Sequence, residues 1–386
     1  MFNTLIGEFC ATHDNWRELL SNEPYNLKIS EDGLYVLFKY NQLTSDFSNP
    51  LVREARGIIF KECNWKHPVC RAFDKFGNYG EPYAAEIDWS TAFVTEKIDG
   101  SLIKVWWDWN GGWHISTNGT IDAYKADLAD TRFKSFGELF ETTLKEYYSS
   151  FEDFVENLDV DYTYMFELVS PYNRVVVPYD KPAIYFLGAR NKITVKEYLC
   201  SEDNMKMLGV DRFERPKQYQ LNTLEDCIKI ANEFDWDQEG FVVTDINGNR
   251  VKVKSPEYIK AHYARTSGVI TNKRLIKIIL DNEVEEFLCY ASDYRDRLEY
   301  CKNMMMAFHN VSNSLLKTYR ALVTKLSKKE YAELVRQEQK IYQKLLFNNY
   351  SNTISAEDYT SSWDENKWAA CIEALEDQLN KLFTSL

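Results

Sequence analysis

A lysine followed by an Asp-Gly step, in Thr95-Glu96-Lys97-Ile98-Asp99-Gly100-Ser101, stands directly before the apolar run SLIKVWW. An amine held at the mouth of a sheet can attack phosphorus once it loses its proton, and burial or neighbouring cations favour that loss. By itself the pattern reads more readily as a solvated lysine beside a turn, but the rest of the chain supplies what a nucleophile would need. Lys252 and Lys254 are two residues apart in Val251-Lys252-Val253-Lys254-Ser255. An extended strand puts both ammonium groups on one face, where they suit a phosphate. Glu239, at the mouth of EGFVV, can hold a divalent metal or orient a ribose. Glu167, inside FELV, is a carboxylate in an apolar strand and needs a partner. Arg56 before Gly57 and Lys75 in FDKFGN add two cations near strand or turn positions. As a set these groups supply a nucleophile, phosphate clamps and metal-compatible carboxylates.

These residues need a β-rich scaffold. Short β-type runs fill the first 270 residues: GLYVLFKY, RGIIF, SLIKVWWDW, GGWHIST, YTYMFELV, AIYFLGAR, EGFVVTD and RVKVKS. Many strands with few intervening helices imply an α+β domain of antiparallel sheets. Asn110-Gly111-Gly112 and Asn247-Gly248-Asn249 lie between such runs and predict hairpin turns. After about Tyr263 glycine and proline nearly vanish, and apolar residues recur at helical spacing, as in Leu275, Ile276, Ile279 and Leu280. The expected division is residues 1–263 as the catalytic domain and 264–386 as an all-α domain, with the boundary inside Ser255–Thr271.

The composition fits a globular protein with a sizeable core: 386 residues, 45% hydrophobic and 15% aromatic. A net charge of -13 argues against indiscriminate wrapping of nucleic acid, so a nucleic-acid substrate requires a local basic groove. No basic leader followed by an apolar run is evident, and no stretch approaches the ~18 apolar residues of a membrane span. The expectation is a cytoplasmic protein with no membrane partner. Eight scattered cysteines read as reduced thiols; Cys63, His67 and Cys70 come nearest to a zinc pattern but lack a fourth ligand.

Taken in order, the motifs resemble those of the covalent nucleotidyltransferases, and within them the phage-type tRNA-repair RNA ligases, the type 1 RNA ligase family. The resemblance is carried by FKYN at 38–41, RGIIF at 56–60, KFGN at 75–78, EKIDGS at 96–101, FELVSPYNRVVV at 166–177, FLGARN at 186–191, EGFVV at 239–243 and VKVKSPEY at 251–258. It implies an ATP-dependent RNA ligase in which Lys97 takes AMP from ATP, Lys252 and Lys254 contact the phosphates, and Tyr40, Arg56 and Lys75 complete the ATP pocket. It further implies that Glu167 contacts the nucleoside, that Glu239 serves metal-assisted chemistry with Mg²⁺, and that Tyr258 binds substrate. One departure stands out: the family commonly has a basic residue before the glycine that follows the nucleophile strand, whereas this chain has Asn118 before Gly119.

The family also places a metal-binding acid early in its helical tail, where this chain has Asp281, Glu283, Glu285 and Glu286; Glu285 is the aligned choice. A helical tail, rather than the β-barrel usual in DNA ligases and GTP-using capping enzymes, favours RNA. Lys325, Lys329, Arg336 and Lys340 are spaced to form a basic stripe on one helical face, interrupted by Glu333. The resemblance implies RNA as partner, a tRNA with a broken anticodon loop above all, handed on by a separate end-healing kinase and phosphatase and sealed by a monomer in the cytoplasm of an infected cell.

Overall fold

The computed structural model describes residues 2–41, 44–62, 64–109, 111–128, 130, 132–264, 271–281, 283–284, 287–288, 294–351 and 354–384. Two compact units divide the chain, Met1–His262 and Tyr263–Leu386.

The first unit is α+β and holds three antiparallel sheets. Strands β1 (Leu27–Asp32), β2 (Tyr35–Tyr40) and β3 (Arg56–Lys61) form the first, in that order. Strands β4 (Phe93–Glu96), β10 (Gln218–Tyr219), β11 (Gly240–Thr244) and β12 (Arg250–Lys254) form the second, in the order β10-β4-β11-β12. The third runs β6-β5-β7-β8-β9, from β5 (Ser101–Asp108), β6 (Gly112–Thr117), β7 (Tyr162–Val169), β8 (Ala183–Asn191) and β9 (Glu197–Leu199).

Each sheet has an apolar face because strand side chains alternate. Phe140, Phe154, Phe166, Phe186 and Phe213 pack into one core on the third sheet. Phe241, Val243, Val251 and Val253 pack against Cys227 and Ala231 of the helix Leu224–Ala231 on the second. Both expected hairpins are present. At the β11–β12 turn Gly248 takes φ +81 and the Asp245 carboxylate accepts the amides of Asn247 and Asn249. At the β5–β6 turn Gly112 takes φ +88 and the Gly111 amide bonds the Asp108 carbonyl.

The Asp-Gly step after Lys97 is different from the turn its sequence suggests. Strands β4 and β5 belong to different sheets, so Ile98–Gly100 carries the chain from one sheet to the other. Gly100 is required there: a Cβ would meet the Leu168 carbonyl oxygen of β7 at 2.6 Å.

The second unit is helical among its described residues. In the long helix Arg295–Val323, Leu298, Cys301, Phe308, Leu316 and Tyr319 are buried at helical spacing. Among the described residues no helix is long and apolar enough to cross a membrane.

Candidate active site

Two backbone hydrogen bonds and one strand pairing bring the nucleophile candidate and its partners to one end of the second sheet. The Lys97 amide donates to the Gly240 carbonyl at 2.8 Å, the Ser255 amide to the Glu239 carbonyl at 2.8 Å, and Gly240 stands opposite Lys254 in the β11–β12 register. The side chains then converge on Glu239, only 3% exposed: Lys97 Nζ lies 2.8 Å from Oε2 and Lys254 Nζ 3.3 Å from Oε1. Two cations around one buried carboxylate compensate its desolvation. The space can be kept only by glycine at 240, whose φ is +133 and whose Cβ would lie 2.1 Å from the Val253 carbonyl oxygen.

Glu167 reaches the same place from the third sheet. Burial raises its pKa to about 7, with Lys97 and Arg56 opposing the rise and Glu239 and Asp99 adding to it. Four charged groups are therefore within electrostatic reach of Glu167, drawn from the other two sheets and from the step between the second and the third.

Lys252 is two residues from Lys254 and lies across from Val242. The KFGN loop binds alongside it: the Lys252 amide donates to the Gly77 carbonyl at 3.0 Å and the Tyr79 amide to the Lys252 carbonyl at 2.9 Å. Phe76 of that loop gathers cations over its ring, with Arg56 at 5.2 Å and Lys252 at 5.5 Å. Lys75 sits over Tyr40 at 5.3 Å and Phe47 at 5.0 Å, and its amide donates to the Arg53 carbonyl. Lys97, Lys254, Glu239 and Glu167 thus form the centre, Arg56 and Lys252 flank it, and Tyr40 with Lys75 makes a neighbouring cluster.

Two expected site residues stand differently. Tyr258 is 2% exposed and its hydroxyl donates to Asp99 Oδ1 at 2.7 Å. It therefore braces Asp99 instead of presenting its hydroxyl to a substrate. Glu285 lies outside the described residues, while Asp281 is ion-paired with Lys277.

Asp99, read from sequence only as part of a turn, is the principal addition. Its Oδ2 accepts the amides of Val176 and Val177, both at 2.8 Å. One buried carboxylate thus ties the step after Lys97 to the FELVSPYNRVVV segment and, through Tyr258, to the helix after β12. A second addition is an ionic ladder behind the KFGN loop: Arg71 to Glu54 and Asp74, Asp74 to Arg190, Arg190 to Glu197, and Glu197 to Arg250, at 2.8–3.2 Å. Arg190 belongs to FLGARN, so that motif serves to fix the loop that carries Lys75 and Phe76.

The donor set suits a nucleotide. Arg56 Nη1 is buried with no hydrogen-bond partner, a donor that an anionic or polar ligand would satisfy. Among the described residues no three acidic, histidine or cysteine side chains form a metal cluster. That still fits Mg²⁺, which commonly uses one or two carboxylates together with substrate phosphates.

The chain is similar to several known proteins. A family model described as RNA ligase matches residues 54–258. A protein of Autographa californica nuclear polyhedrosis virus, named for a bifunctional polynucleotide kinase/RNA ligase, is 33% identical over 272 residues; the match covers 67% of this chain and 38% of that protein. An RNA ligase of Rhodothermus phage RM378 is 26% identical over 352 residues, covering 76% of this chain and 78% of the phage protein. A solved archaeal ATP-dependent RNA ligase superposes with a TM-score of 0.49 at 15% identity, over 76% of each chain. The matched segment runs from the helix before β3 to Tyr258 and so contains Arg56, Lys75, Lys97, Glu167, Glu239, Lys252 and Lys254: this chain belongs to the RNA ligase family.

Proposed function

We propose that the protein is an ATP-dependent RNA ligase that works through a covalent lysyl-AMP on Lys97. The observation that carries this reading is the placement of Lys97 Nζ and Lys254 Nζ on the two oxygens of buried Glu239. In the first step Lys97 Nζ forms a bond to the α-phosphorus of ATP, the bond to the bridging oxygen breaks, and pyrophosphate leaves. Glu239 Oε2, 2.8 Å from that nitrogen, is the base placed to receive its proton. Lys254, Lys252 and Arg56 offset the negative charge on the phosphates. In the second step an oxygen of the RNA 5′-phosphate takes the AMP and the N–P bond breaks, restoring Lys97. In the third a 3′-hydroxyl attacks that 5′-phosphate and AMP leaves.

Mg²⁺, held by Glu239 or Glu167 with the phosphates, would supply further charge neutralisation. The helical unit is the part proposed to recognise RNA, and a cleaved tRNA anticodon loop is the proposed substrate. Joining needs a 5′-phosphate and a 3′-hydroxyl, so a break that leaves a 5′-hydroxyl and a 3′-phosphate would first need a separate kinase and phosphatase; the relative from Autographa californica nuclear polyhedrosis virus carries a kinase in its name. A monomer acting in the cytoplasm is sufficient for this scheme.

The test is to incubate wild type and Lys97→Ala with α-labelled ATP or GTP and Mg²⁺, then denature and look for retained label. ATP label on wild type only is expected, and label from GTP would redirect the reading to a capping enzyme. Broken tRNA against nicked DNA then separates an RNA from a DNA ligase. Absence of label on folded, AMP-free wild type would leave an RNA-binding protein with a silent ligase fold.

A further inference from the structure

Beside the centre, Arg56 stands in a group of cations whose other members the reaction above does not use. Lys39, the penultimate residue of β2, stands opposite Arg56 where the β2–β3 register shifts. Like charges in cross-strand positions repel, so the pair is unfavourable without an anion between them. Neither is neutralised by an ion pair among the described residues: Arg56 Nη1 is buried without a partner, and the side chain of half-buried Lys39 makes no hydrogen bond to them. A third cation lies beneath them. Lys104 is fully buried and donates to the Gly57 carbonyl, and burial, reinforced by Arg56 and Lys39 against the Cys70 thiol, lowers its pKa.

Lys39 lines a cavity of about 420 Å³ together with Ser101, Thr117, Asn118, Gly119 and Asp127 among others. Asp127, its one acidic member, is exposed and has no ion pair among the described residues. A Cβ at Gly119 would come within 3.2 Å of Lys39 Nζ, so glycine leaves that amine free to turn into the cavity. Leu102, which also lines it, faces Glu167 across the β5–β7 register, which puts the cavity next to the reacting centre. The Lys39 ammonium, without an ion pair among the described residues and beside the hydroxyls of Ser101 and Thr117 and the amide of Asn118, suits a tetrahedral phosphoryl group.

We propose that Lys39, with Arg56 beside it, forms a phosphate subsite at this cavity. The charge comes from β2 and takes the place of a basic residue at Asn118. The subsite deepens the RNA-ligase reading and rests on it. Its occupant is a phosphoryl group, from either the polyphosphate of ATP or the RNA 5′-end.

The test uses the full-length protein with Lys39→Ala, Lys39→Arg and the double variant Lys39→Ala/Asn118→Lys. One arm follows label transfer from ATP; the other follows sealing of a preformed 5′-adenylated RNA, which bypasses ATP. Lys39→Ala should lose about 10–100-fold in one arm, as expected for one charge-assisted contact. Loss in the ATP arm, with KM for ATP raised, assigns the subsite to the polyphosphate; loss only in the sealing arm assigns it to the RNA end. Arginine at 39 or lysine at 118 should restore the lost rate, which repair of a packing defect would not. Calorimetric affinity for pyrophosphate keeps the subsite separable from the chemistry. If wild type takes no label, the ligase reading fails, and the subsite is then judged on whether Lys39→Ala weakens pyrophosphate binding tenfold. Lys39→Ala within twofold of wild type in every assay, or a loss that neither substitution restores, overturns the proposal.

Discussion

At the scale of single residues, Glu167 is the group whose protonation the fold alters most usefully. Its pKa rises from an ordinary 4.5 to about 7, chiefly through burial. A raised carboxyl pKa means that folding favours the protonated form: the full stability is present below about pH 4.5 and is lost as pH rises through about 7. Glu167→Gln imitates the protonated form at every pH. Urea unfolding from pH 4 to 8 should therefore show wild type losing stability relative to the variant across that window, by up to about 3 kcal/mol. A constant difference between the two proteins over the range would show that Glu167 is not buried against charge as described. Nucleotide bound beside Lys97 and Arg56 would alter the same balance, so the measurement belongs to the AMP-free protein.

At the scale of elements, what could be read from sequence depended on whether the signal was local. Strands β2, β3, β5, β6, β7, β8, β11 and β12 all fall on runs whose β-branched and aromatic content announces them. Strand β1, LKISED, is too polar to declare itself, and β4 is only four residues long, although it delivers Lys97. Lys97, Glu239, Lys252 and Lys254 were visible because each sits beside an apolar run. Asp99, Lys39 and Lys104 were hidden because the groups beside them come from other parts of the chain, and no spacing reports a sheet-to-sheet step. Gly240 tests how far the site depends on one such element. Alanine there would have to move the Val253 carbonyl, which lies 2.1 Å from the Cβ position, and would adopt φ +133. We expect a cost of about 3 kcal/mol or more, a melting temperature lower by roughly 10 °C, and loss of lysyl-AMP because Glu239 moves with the strand. Gly248→Ala is the control, since its Cβ meets nothing within 4 Å and only its φ of +81 is strained. It should cost about 1 kcal/mol and leave label transfer intact. Equal effects of the two would mean that φ alone, and not the crowding at the site, sets the penalty.

At the scale of the whole molecule, a chain of net charge -13 that is proposed to act on RNA must concentrate its positive charge. The helical unit does so, although not as one continuous helical stripe. The long helix ends at Val323, a capping box at Ser327 starts Lys328–Val335, and another helix begins at Lys340. Lys325 and Arg336 therefore lie at helix ends, Lys329 lies within the second helix, and Lys340 opens the third. All four are exposed, with Lys328 and Lys344 exposed nearby, and none has an ion pair among the described residues. Of the acids in the same segment, Glu330 is held by the Ser327 cap and Glu338 accepts the Tyr319 hydroxyl at 2.8 Å, which leaves Glu333. Tyr331 and Tyr342, 1% and 3% exposed, are core side chains and offer no stacking surface for bases. The surface can thus contribute charge but little base recognition, and counterion release fixes what it should do. Replacing Lys325, Lys329, Arg336 and Lys340 together by alanine should weaken RNA binding at low salt and make the slope of log K against log[salt] shallower by about 3. Label transfer from ATP should be unchanged, because those residues belong to a different unit from Lys97. An unchanged salt slope would move RNA recognition to the catalytic unit, where Lys39, Arg56 and Lys75 are the remaining candidates.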